Sequence, residues 1–236
     1  MADNQIPNVA ILGAGNGGLA ATVDLTIRGF TVRLWSRRIE TLRPIQMPGG
    51  IEYSGVLGEG FIEPTLVTDD LGEVLLEAEL VLIMLPTSAH FEIGQLLAPH
   101  LTKEQTVFLA PGHTLTILPA ALHAGGMISP EFCEVGTLPY ICRKDENARV
   151  TISKCSDHLP FAAFPINRTD EMFSLVQNVF PKINALASPL ETVFTYMNAI
   201  HHPPATICNA GRIENTDGNF YHYFEGITPS VGRLID

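Results

Sequence analysis

The sequence predicts an α/β protein with a Rossmann-type, doubly wound parallel sheet, followed by the start of an α-helical second domain. Short apolar segments alternate with helical segments through roughly the first half of the chain. A glycine-rich turn, "GAGNGG", directly follows the first apolar segment, and "LVLIML" at 80–85 is apolar on both faces. A strand that is apolar on both faces is typical of a parallel sheet covered by helices on its two sides. Strand and helix alternation with right-handed crossovers gives that architecture.

The first half of the chain supplies the elements of this sheet. Strands are predicted at 8–12, 31–35, 65–68, 80–85 and 106–110, and helices at 17–29, about 69–78, about 88–98 and about 114–123. Gly29 ends the first helix, and Thr68 or Asp69 caps the second one. Residues 44–64 are rich in Gly and Pro and favour a hairpin or a loop over a helix.

The pattern changes after residue 130. Strand-like segments, "FCEVGTL", "RVTISK" and "FAAFPI", precede a predicted helix at 169–179. From Pro189 to about Ile213 the pattern is helical, and Pro203 and Pro204 are expected to interrupt it. A proline inside a helix costs about 3 kcal/mol, since it removes a donor and clashes with the preceding turn. We therefore predict an α/β domain over 1–188 and a helical region over 189–236.

Composition excludes several classes of function. The chain has 236 residues, of which 46% are apolar and 17% charged, so it can build a substantial core. A net charge of -11 argues against a nucleic acid or an anionic membrane surface as the main partner. The apolar runs are too short to span a bilayer, and "MADNQIPN" lacks the features of a signal peptide. A cytoplasmic location is expected.

The metal-ligating residue types show no site pattern. The four cysteines form no C-x-x-C pair, so reduced and mostly buried thiols are expected rather than disulfides or a zinc site. His201 and His202 are neighbours, and neighbours on a helix point about 100° apart, unlike a ligand pair at i and i+4. No metal is expected.

The glycine-rich turn matches a dinucleotide fingerprint. Gly13, Gly15 and Gly18 fit G-x-G-x-x-G between a predicted strand and a predicted helix, with Asn16 and Gly17 inside the motif. The first glycine permits the tight turn, the second lets the backbone approach a pyrophosphate, and the third lets helix and strand pack closely. The helix N-terminus then holds the phosphates. A plain glycine turn and a methyltransferase glycine loop are the alternatives.

The end of the second strand bears on the choice of cofactor. An acidic residue there accepts from the ribose 2′-OH of NAD. In this sequence Ser36 holds that position, and Arg37 and Arg38 follow it. Because serine and arginine can bind a 2′-phosphate that a carboxylate would repel, NADP is favoured, while NAD or dual use stays open. The alternative is that both arginines are solvated surface residues.

Two later turns are expected to form the walls of the nicotinamide half of the site. Pro86, in "MLPTSAH", closes the strand after the topological switch, and Pro111 with Gly112 closes the next one. For His90 and His113 the simpler interpretation is that they are partly exposed loop histidines.

Four stretches resemble the octopine/nopaline (opine) dehydrogenases. They are "GAGNGGLAATVDLTIRGFTVRLWSR", "TLPYICR" at 137–143, "NAIHHPPATICNAG" at 198–211 and "YFEGITPSVGRLI" at 223–235. The first stretch is shared widely and is also similar to the N-terminal domain of glycerol-3-phosphate dehydrogenases. The last two are specific to the opine family.

The resemblance implies NAD(P)H-dependent reductive condensation of an amino acid with a 2-oxo acid, or the reverse oxidation. The family's catalytic histidine lies in N-x-x-x-H-P, which corresponds to His202 and not to His201. Asn198 lies one helical turn earlier on the same face. The proline pair is expected to kink the helix and to present His202 toward the nicotinamide, where a histidine can transfer a proton near neutral pH. The resemblance also implies a substrate-binding role for Cys142.

The chain departs from the family at its end. The resemblance implies a dinucleotide-binding Rossmann domain over 1–188 and the truncated beginning of a helical substrate domain over 189–236. Family members continue into an all-helical domain that carries an Asp orienting the histidine and an Arg binding a substrate carboxylate. The expectation is a fragment, a split gene product completed by a second polypeptide, or a degenerate relative. A non-catalytic dinucleotide-binding protein is the alternative function, and a homodimer or a completing helical chain are both open as protein partners.

Overall fold

The computed structural model describes residues 7–47, 49–113, 117–127, 131–217 and 219–236. The chain divides into two compact units, the first reaching Val193 and the second comprising Phe194–Asp236. No helix in these described ranges is long and apolar enough to cross a membrane.

The elements of the first unit alternate much as predicted. In chain order they are β1 (Val9–Leu12), α1 (Asn16–Ile27), β2 (Val32–Trp35), α2 (Ile39–Gln46), β3 (Ile51–Gly55), β4 (Gly60–Ile62), β5 (Leu66–Thr68), α3 (Leu71–Leu75), β6 (Leu80–Ile83), α4 (His90–Leu97), β7 (Thr106–Leu109), α5 (Ile117–Ala124), β8 (Phe132–Val135), β9 (Tyr140–Lys144), β10 (Val150–Cys155), β11 (Leu159–Phe164), α6 (Thr169–Val179), β12 (Ile183–Ala185) and α7 (Pro189–Phe194). The predicted helix at 114–123 corresponds to α5, and its first three residues lie outside the described ranges.

The large sheet confirms the predicted doubly wound architecture. Its strand order is β12-β11-β8-β7-β6-β1-β2-β5. The central strand β1 pairs in parallel with β2 on one side and with β6 on the other. Strand β11 pairs antiparallel with β8, so the far edge of the sheet is mixed. All four residues of β1 and of β6 are buried, because helices cover both faces.

The core lies in two layers, one on each face of this sheet. Alternate residues of one strand point to opposite faces. Ile11, Leu82 and Phe108 therefore belong to one buried apolar cluster. Their chain neighbours Leu12 and Ile83 belong to the other cluster. The two layers fix the carboxyl ends of β1, β2 and β6, where the glycine turn and the arginine pair follow.

A second, four-stranded sheet has the order β4-β3-β10-β9. The predicted hairpin within 44–64 is confirmed as the antiparallel pair β3–β4. The parallel pairing of β3 with β10, which places Tyr53 opposite Val150, was not predicted because it joins distant parts of the chain. Strands β9 and β10 contact α1. The second sheet thereby lies beside the helix that follows the glycine turn.

Two local predictions are wrong. Residues 39–46 form α2, which runs through Pro44, because Leu42 and Ile45 bury the apolar side of that helix. The cap of α3 is Asp70 rather than Thr68 or Asp69, and its Oδ1 accepts from the Glu73 N–H at 3.0 Å. This helix ends at Leu75, before the predicted end at about residue 78.

The second unit is helical, with α8 (Asn198–Cys208), α9 (Ala210–Asn215), α10 (His222–Gly226) and α11 (Pro229–Ile235). The predicted interruption at Pro203 and Pro204 is wrong, since α8 is continuous through both. The carbonyl groups that lose their donors belong to Ala199 and Ile200, which are exposed and can bind water instead. Helix α11 has a side-chain N-cap, since Thr228 Oγ1 accepts from the Val231 N–H at 3.4 Å.

Candidate functional site

The glycine-rich turn has the geometry that its sequence predicts. Gly13 has a φ of +118°, and a Cβ there would lie 2.8 Å from the Met84 carbonyl oxygen. A Cβ on Gly18 would lie 1.6 Å from the Gly13 carbonyl oxygen, so only glycine allows α1 to pack this closely on the turn. At Gly15, by contrast, a Cβ would meet no described atom within 4 Å. The turn is packed tightly at its first and third glycines and is open at its second.

The N-terminus of α1 opens at this turn. Gly15 is the N-cap residue, and no side chain from the described part of the chain caps the helix there. The first N–H groups of a helix have no partner within the helix, and the helix dipole favours an anion beside them. The open side of Gly15 and the uncapped helix end together form a cradle for a phosphate group. The turn thus fits the pyrophosphate of a dinucleotide.

A cleft of about 420 Å³ extends from this cradle. Six of the residues predicted to bind cofactor line it: Gly13, Gly15, Ser36, Arg37, Arg38 and Pro86. It is also lined by Trp35, Thr41, Met84, Leu85, Ala89, Glu92, Ile93, Leu96 and Lys144, as well as by Ala14. The structure therefore brings together the glycine turn, the end of β2, the end of β6 and the start of α4.

Three further predicted residues of the motif support the turn from outside the cleft lining. Gly17 faces Leu138, whose Cδ2 would lie 2.9 Å from a Cβ at position 17. Asn16 Oδ1 accepts from the Lys144 backbone N–H at 2.8 Å, which ties α1 to β9. Together with Gly18, these residues set the position of the helix N-terminus.

The charges of the cleft lie at its rim. Arg37 forms an ion pair with Glu92. Among the described residues Arg38 has no ion-pair partner, and Lys144 projects from the second sheet into the lining. Three cationic side chains and one carboxylate therefore line the cleft in the described part of the chain. This balance suits an anionic ligand with several phosphate groups.

Sequence reasoning missed Lys144 and Glu92. Lys144 comes to the cleft through the second sheet, whose long-range pairing the sequence did not reveal. Glu92 lies in the first turn of α4, where an acidic residue is ordinary helix chemistry and gives no signal of its own.

Cys142 is a buried free thiol, as the sequence predicts, whereas His90 lies in other surroundings than its sequence context predicts. Cys142 is buried in the apolar core, and that burial raises the pKa of its thiol. Its substrate-binding role has no support from this geometry and stays a prediction. The expectation of a partly exposed loop histidine is wrong for His90, which is fully buried at the start of α4. Its Nε2 lies 3.2 Å from the Leu85 carbonyl oxygen.

In the second unit, His202 lies on α8 among aromatic side chains. Its Nε2 is 2.7 Å from the Tyr223 hydroxyl oxygen, and its ring meets the His222 ring edge-on at 5.7 Å between centroids. The hydroxyl of Tyr223 holds one ring nitrogen and so orients the imidazole. Asn198 begins the same helix one turn earlier, and its side-chain amide donates to the Tyr196 hydroxyl at 3.4 Å. The sequence predicted the histidine but not its tyrosine partner.

Family models match both parts of the chain. The model described as NAD-dependent glycerol-3-phosphate dehydrogenase N-terminus matches residues 8–112. The model described as NAD/NADP octopine/nopaline dehydrogenase, alpha-helical domain, matches residues 185–236. The first match falls on the α/β part of the chain and the second covers the helical part.

Relatives of known name match nearly the whole chain. Opine dehydrogenase of Arthrobacter sp. (strain 1C) is 31% identical over 229 residues, which are 96% of this chain and 64% of the relative. Vitopine synthase of Allorhizobium ampelinum is 26% identical over 94% of this chain and 63% of its own length. The chain thus spans a little under two thirds of the length of these two relatives.

Solved structures of similar fold include octopine dehydrogenase and yersinopine dehydrogenase. Octopine dehydrogenase with NADH and L-arginine has a TM-score of 0.74 at 20% identity, covering 96% of this chain and 60% of that one. Yersinopine dehydrogenase with NADP+ has a TM-score of 0.73 at 16% identity, covering 97% and 60%. The sequence similarity along the chain, the helical-domain match and the shared fold agree with one another. Along nearly its whole length this chain is similar to the octopine/nopaline (opine) dehydrogenases.

Proposed function

We propose that this chain carries the cofactor site and the proton-transfer histidine of an NADP(H)-dependent opine dehydrogenase. Such an enzyme joins the amine of an amino acid to a 2-oxo acid by reductive condensation, or oxidises the product in reverse. One observation carries the proposal. A glycine turn and a cationic rim meet in one cleft, within a chain that is similar to an opine dehydrogenase over 96% of its length.

The cofactor phosphates are assigned to two parts of the cleft. The pyrophosphate would lie on Gly13–Gly15 and on the N-terminus of α1, with Lys144 as a cation beside it. The 2′-phosphate of NADP would lie at the end of β2, where Ser36 offers a hydroxyl and Arg38 a guanidinium. When bound, the nicotinamide gives or accepts the hydride of the reaction. Pro86 forms part of the wall on its side of the cleft.

His202 is assigned the proton transfer. In the reductive direction its imidazolium would donate a proton to the carbinolamine oxygen as water leaves. In the oxidative direction its neutral imidazole would take the proton from the secondary amine. The contact of Nε2 with the Tyr223 hydroxyl supports a fixed ring orientation in this chain. In the completed enzyme a carboxylate would replace the hydroxyl at that nitrogen, which leaves Nδ1 for the proton transfer. Asn198 lies one turn earlier on the same helix.

The substrates are assigned by class from the relatives. Solved octopine dehydrogenase structures are described with L-arginine and with pyruvate, an amino acid and a 2-oxo acid. The relatives are longer than this chain. We therefore propose that the active enzyme contains a further helical region, in the same chain or in a second one, and that this region supplies the carboxylate that orients His202. The same region would supply the guanidinium that binds a substrate carboxylate. The homodimer and the cytoplasmic location stay predictions of the sequence.

The test joins this chain to the helical region of a full-length opine dehydrogenase and follows NADPH oxidation with amino acid and 2-oxo acid pairs. We expect turnover in the joined protein, and NADPH binding with little or no turnover in the 236-residue chain alone. His202→Ala should lower kcat by about 10²- to 10⁴-fold, the usual contribution of a general acid–base residue. The neighbouring His201→Ala is the matched control and should keep its activity.

Two results would contradict the proposal. Retained turnover in the joined His202→Ala protein would remove the catalytic assignment. If the joined protein binds NADPH but shows no turnover across a panel of amino acids and oxo acids, a non-catalytic dinucleotide-binding protein is favoured instead.

A further inference from the structure

We propose that Glu92 limits the preference of this chain for NADP over NAD, because it pairs with one of the two arginines that would bind the 2′-phosphate. The inference rests on the proposed function, specifically on the assignment of the 2′-phosphate to the end of β2. It adds a specificity-determining residue from α4 that the glycine motif and the Ser-Arg-Arg sequence do not reveal.

The geometry that carries the proposal is the Arg37–Glu92 ion pair. Arg37 follows β2, Glu92 lies in the first turn of α4, and both side chains line the 420 Å³ cleft. The pair therefore joins two elements on the cleft rather than two residues of one surface helix. A ligand phosphate that binds Arg37 must compete with the Glu92 carboxylate for the same guanidinium.

The pair can open when a ligand arrives. The Arg37 side chain is 57% exposed and that of Glu92 58% exposed. Exposed ion pairs contribute little, since water and salt screen both charges. A phosphate dianion offers a stronger partner for a guanidinium than one carboxylate does. Glu92 thus weakens the binding of a 2′-phosphate without preventing it.

The neighbouring arginine provides the contrast. Arg38 lines the same cleft and has no ion-pair partner among the described residues. It is available to a 2′-phosphate in the absence of any rearrangement. NADH carries no 2′-phosphate, so it can bind while the Arg37–Glu92 pair stays intact. Arg38 can therefore bind a 2′-phosphate, whereas Arg37 is paired with Glu92. This arrangement permits binding of both NADPH and NADH.

The experiment titrates NADPH and NADH, by cofactor fluorescence, into the wild-type chain and the Glu92→Gln variant. Removal of the carboxylate should tighten NADPH binding about threefold, within the range that exposed ion pairs contribute, and should leave NADH binding unchanged. The gain should shrink at 0.5 M salt, where the Debye length is only about 4 Å. In calorimetry, 2′,5′-ADP should show the same gain and 5′-AMP should not.

Two further variants separate the pairing from net charge. Glu59→Gln removes the same charge from the exposed β3–β4 turn, outside the cleft lining, and should change neither affinity. In an Arg37→Gln background, Glu92→Gln should no longer tighten NADPH binding, because the guanidinium for which it competes is gone.

The outcomes are distinguishable from a failure of the proposed function. If the wild-type chain binds neither NADPH nor NADH, the cofactor assignment itself is wrong. If it binds them and Glu92→Gln shifts both equally or neither, the role of Glu92 is overturned. A gain that persists in the Arg37→Gln background, or that Glu59→Gln reproduces, overturns the pairing as its cause.

Discussion

The two compact units differ in how they bury their apolar side chains. In the first unit Phe108, Phe132 and Phe161 are fully buried. In the second unit Tyr221 is 72% exposed and Phe224 is 91% exposed. The first unit has a core on each face of its large sheet, whereas the second presents most of its large apolar side chains to solvent.

This difference separates the two halves of the proposed activity. The cofactor cleft is built on strands that two packed layers hold in place, so we expect it to be preformed and to bind ligand in this chain. The proton-transfer residue lies on helices that bury few apolar side chains, so its orientation depends on local contacts such as the Tyr223 hydroxyl.

The largest effect is expected for a pair of phenylalanines. Phe108→Ala leaves a cavity in the core beneath the large sheet and should lower the free energy of unfolding by about 3–5 kcal/mol. Phe224→Ala removes a side chain that is 91% exposed and should change it by less than about 0.5 kcal/mol. Urea denaturation followed by circular dichroism measures both. Equal losses for the two variants would show that the second unit has a core that its exposure does not reveal.

Substitutions at two glycines of one motif should affect different properties, cofactor binding at Gly15 and stability at Gly18. Gly15→Val places its side chain in the open cradle, so it should weaken NADPH binding at least about a hundredfold, or about 2.7 kcal/mol, while the fold is kept. Gly18→Ala drives a Cβ to within 1.6 Å of the Gly13 carbonyl oxygen and should reduce thermal stability strongly. Thermal melts and NADPH titrations of both variants separate the effects. A folded Gly15→Val protein with unchanged NADPH affinity would remove the basis of the pyrophosphate site.

A smaller effect concerns pH and the buried His90. Burial lowers its pKa, the bond to the Leu85 carbonyl opposes this shift, and the charge of His113 reinforces it. The unfolded chain therefore takes up a proton that the folded chain refuses. The stability that neutral His90 contributes is fully present above the unfolded pKa of about 6.5 and is lost as the pH falls below it.

His90→Gln should accordingly flatten the decline of unfolding free energy between about pH 7 and pH 5. Denaturant melts of the wild type and the variant at several pH values measure the two slopes. If the slopes are the same, another group dominates the acid sensitivity of the first unit.

Local signals made most of the large sheet predictable. The strands at 8–12, 31–35, 80–85 and 106–110 are apolar runs. The spacing of the glycines between the first strand and its helix predicts a dinucleotide site. Six of the nine predicted cofactor residues line the cleft because they follow such strands directly. Parallel strands end at one edge of the sheet, so residues that follow them are brought together without further information.

What the sequence did not reveal depends on long-range pairing or on competition between effects. Lys144 reaches the cleft on β9, which pairs with β10, and β10 pairs with the distant β3. The bond of the Lys144 N–H to Asn16 is a second long-range contact. The predicted break at Pro203 and Pro204 is absent, because the exposed carbonyl groups of α8 can bind water. Helix α2 runs through Pro44, where a hairpin or a loop was expected, because Leu42 and Ile45 are buried. Tyr223 lies 21 residues after His202, and nothing in its local pattern indicates that it bonds to the imidazole.

The most direct test of the central claim, an NADP-preferring site carried by the first unit, is a pair of titrations on the 236-residue chain. NADPH and NADH are added separately to the wild type, to Arg38→Ala and to Arg37→Ala, and binding is followed by cofactor fluorescence. We expect NADPH to bind about tenfold or more tightly than NADH, as a charge-assisted bond to the 2′-phosphate provides. Arg38→Ala should remove most of that preference, and Arg37→Ala should remove less, because Glu92 already restrains that guanidinium. NADH binding as tight as NADPH binding in the wild type, with neither arginine variant changing either affinity, would contradict the account.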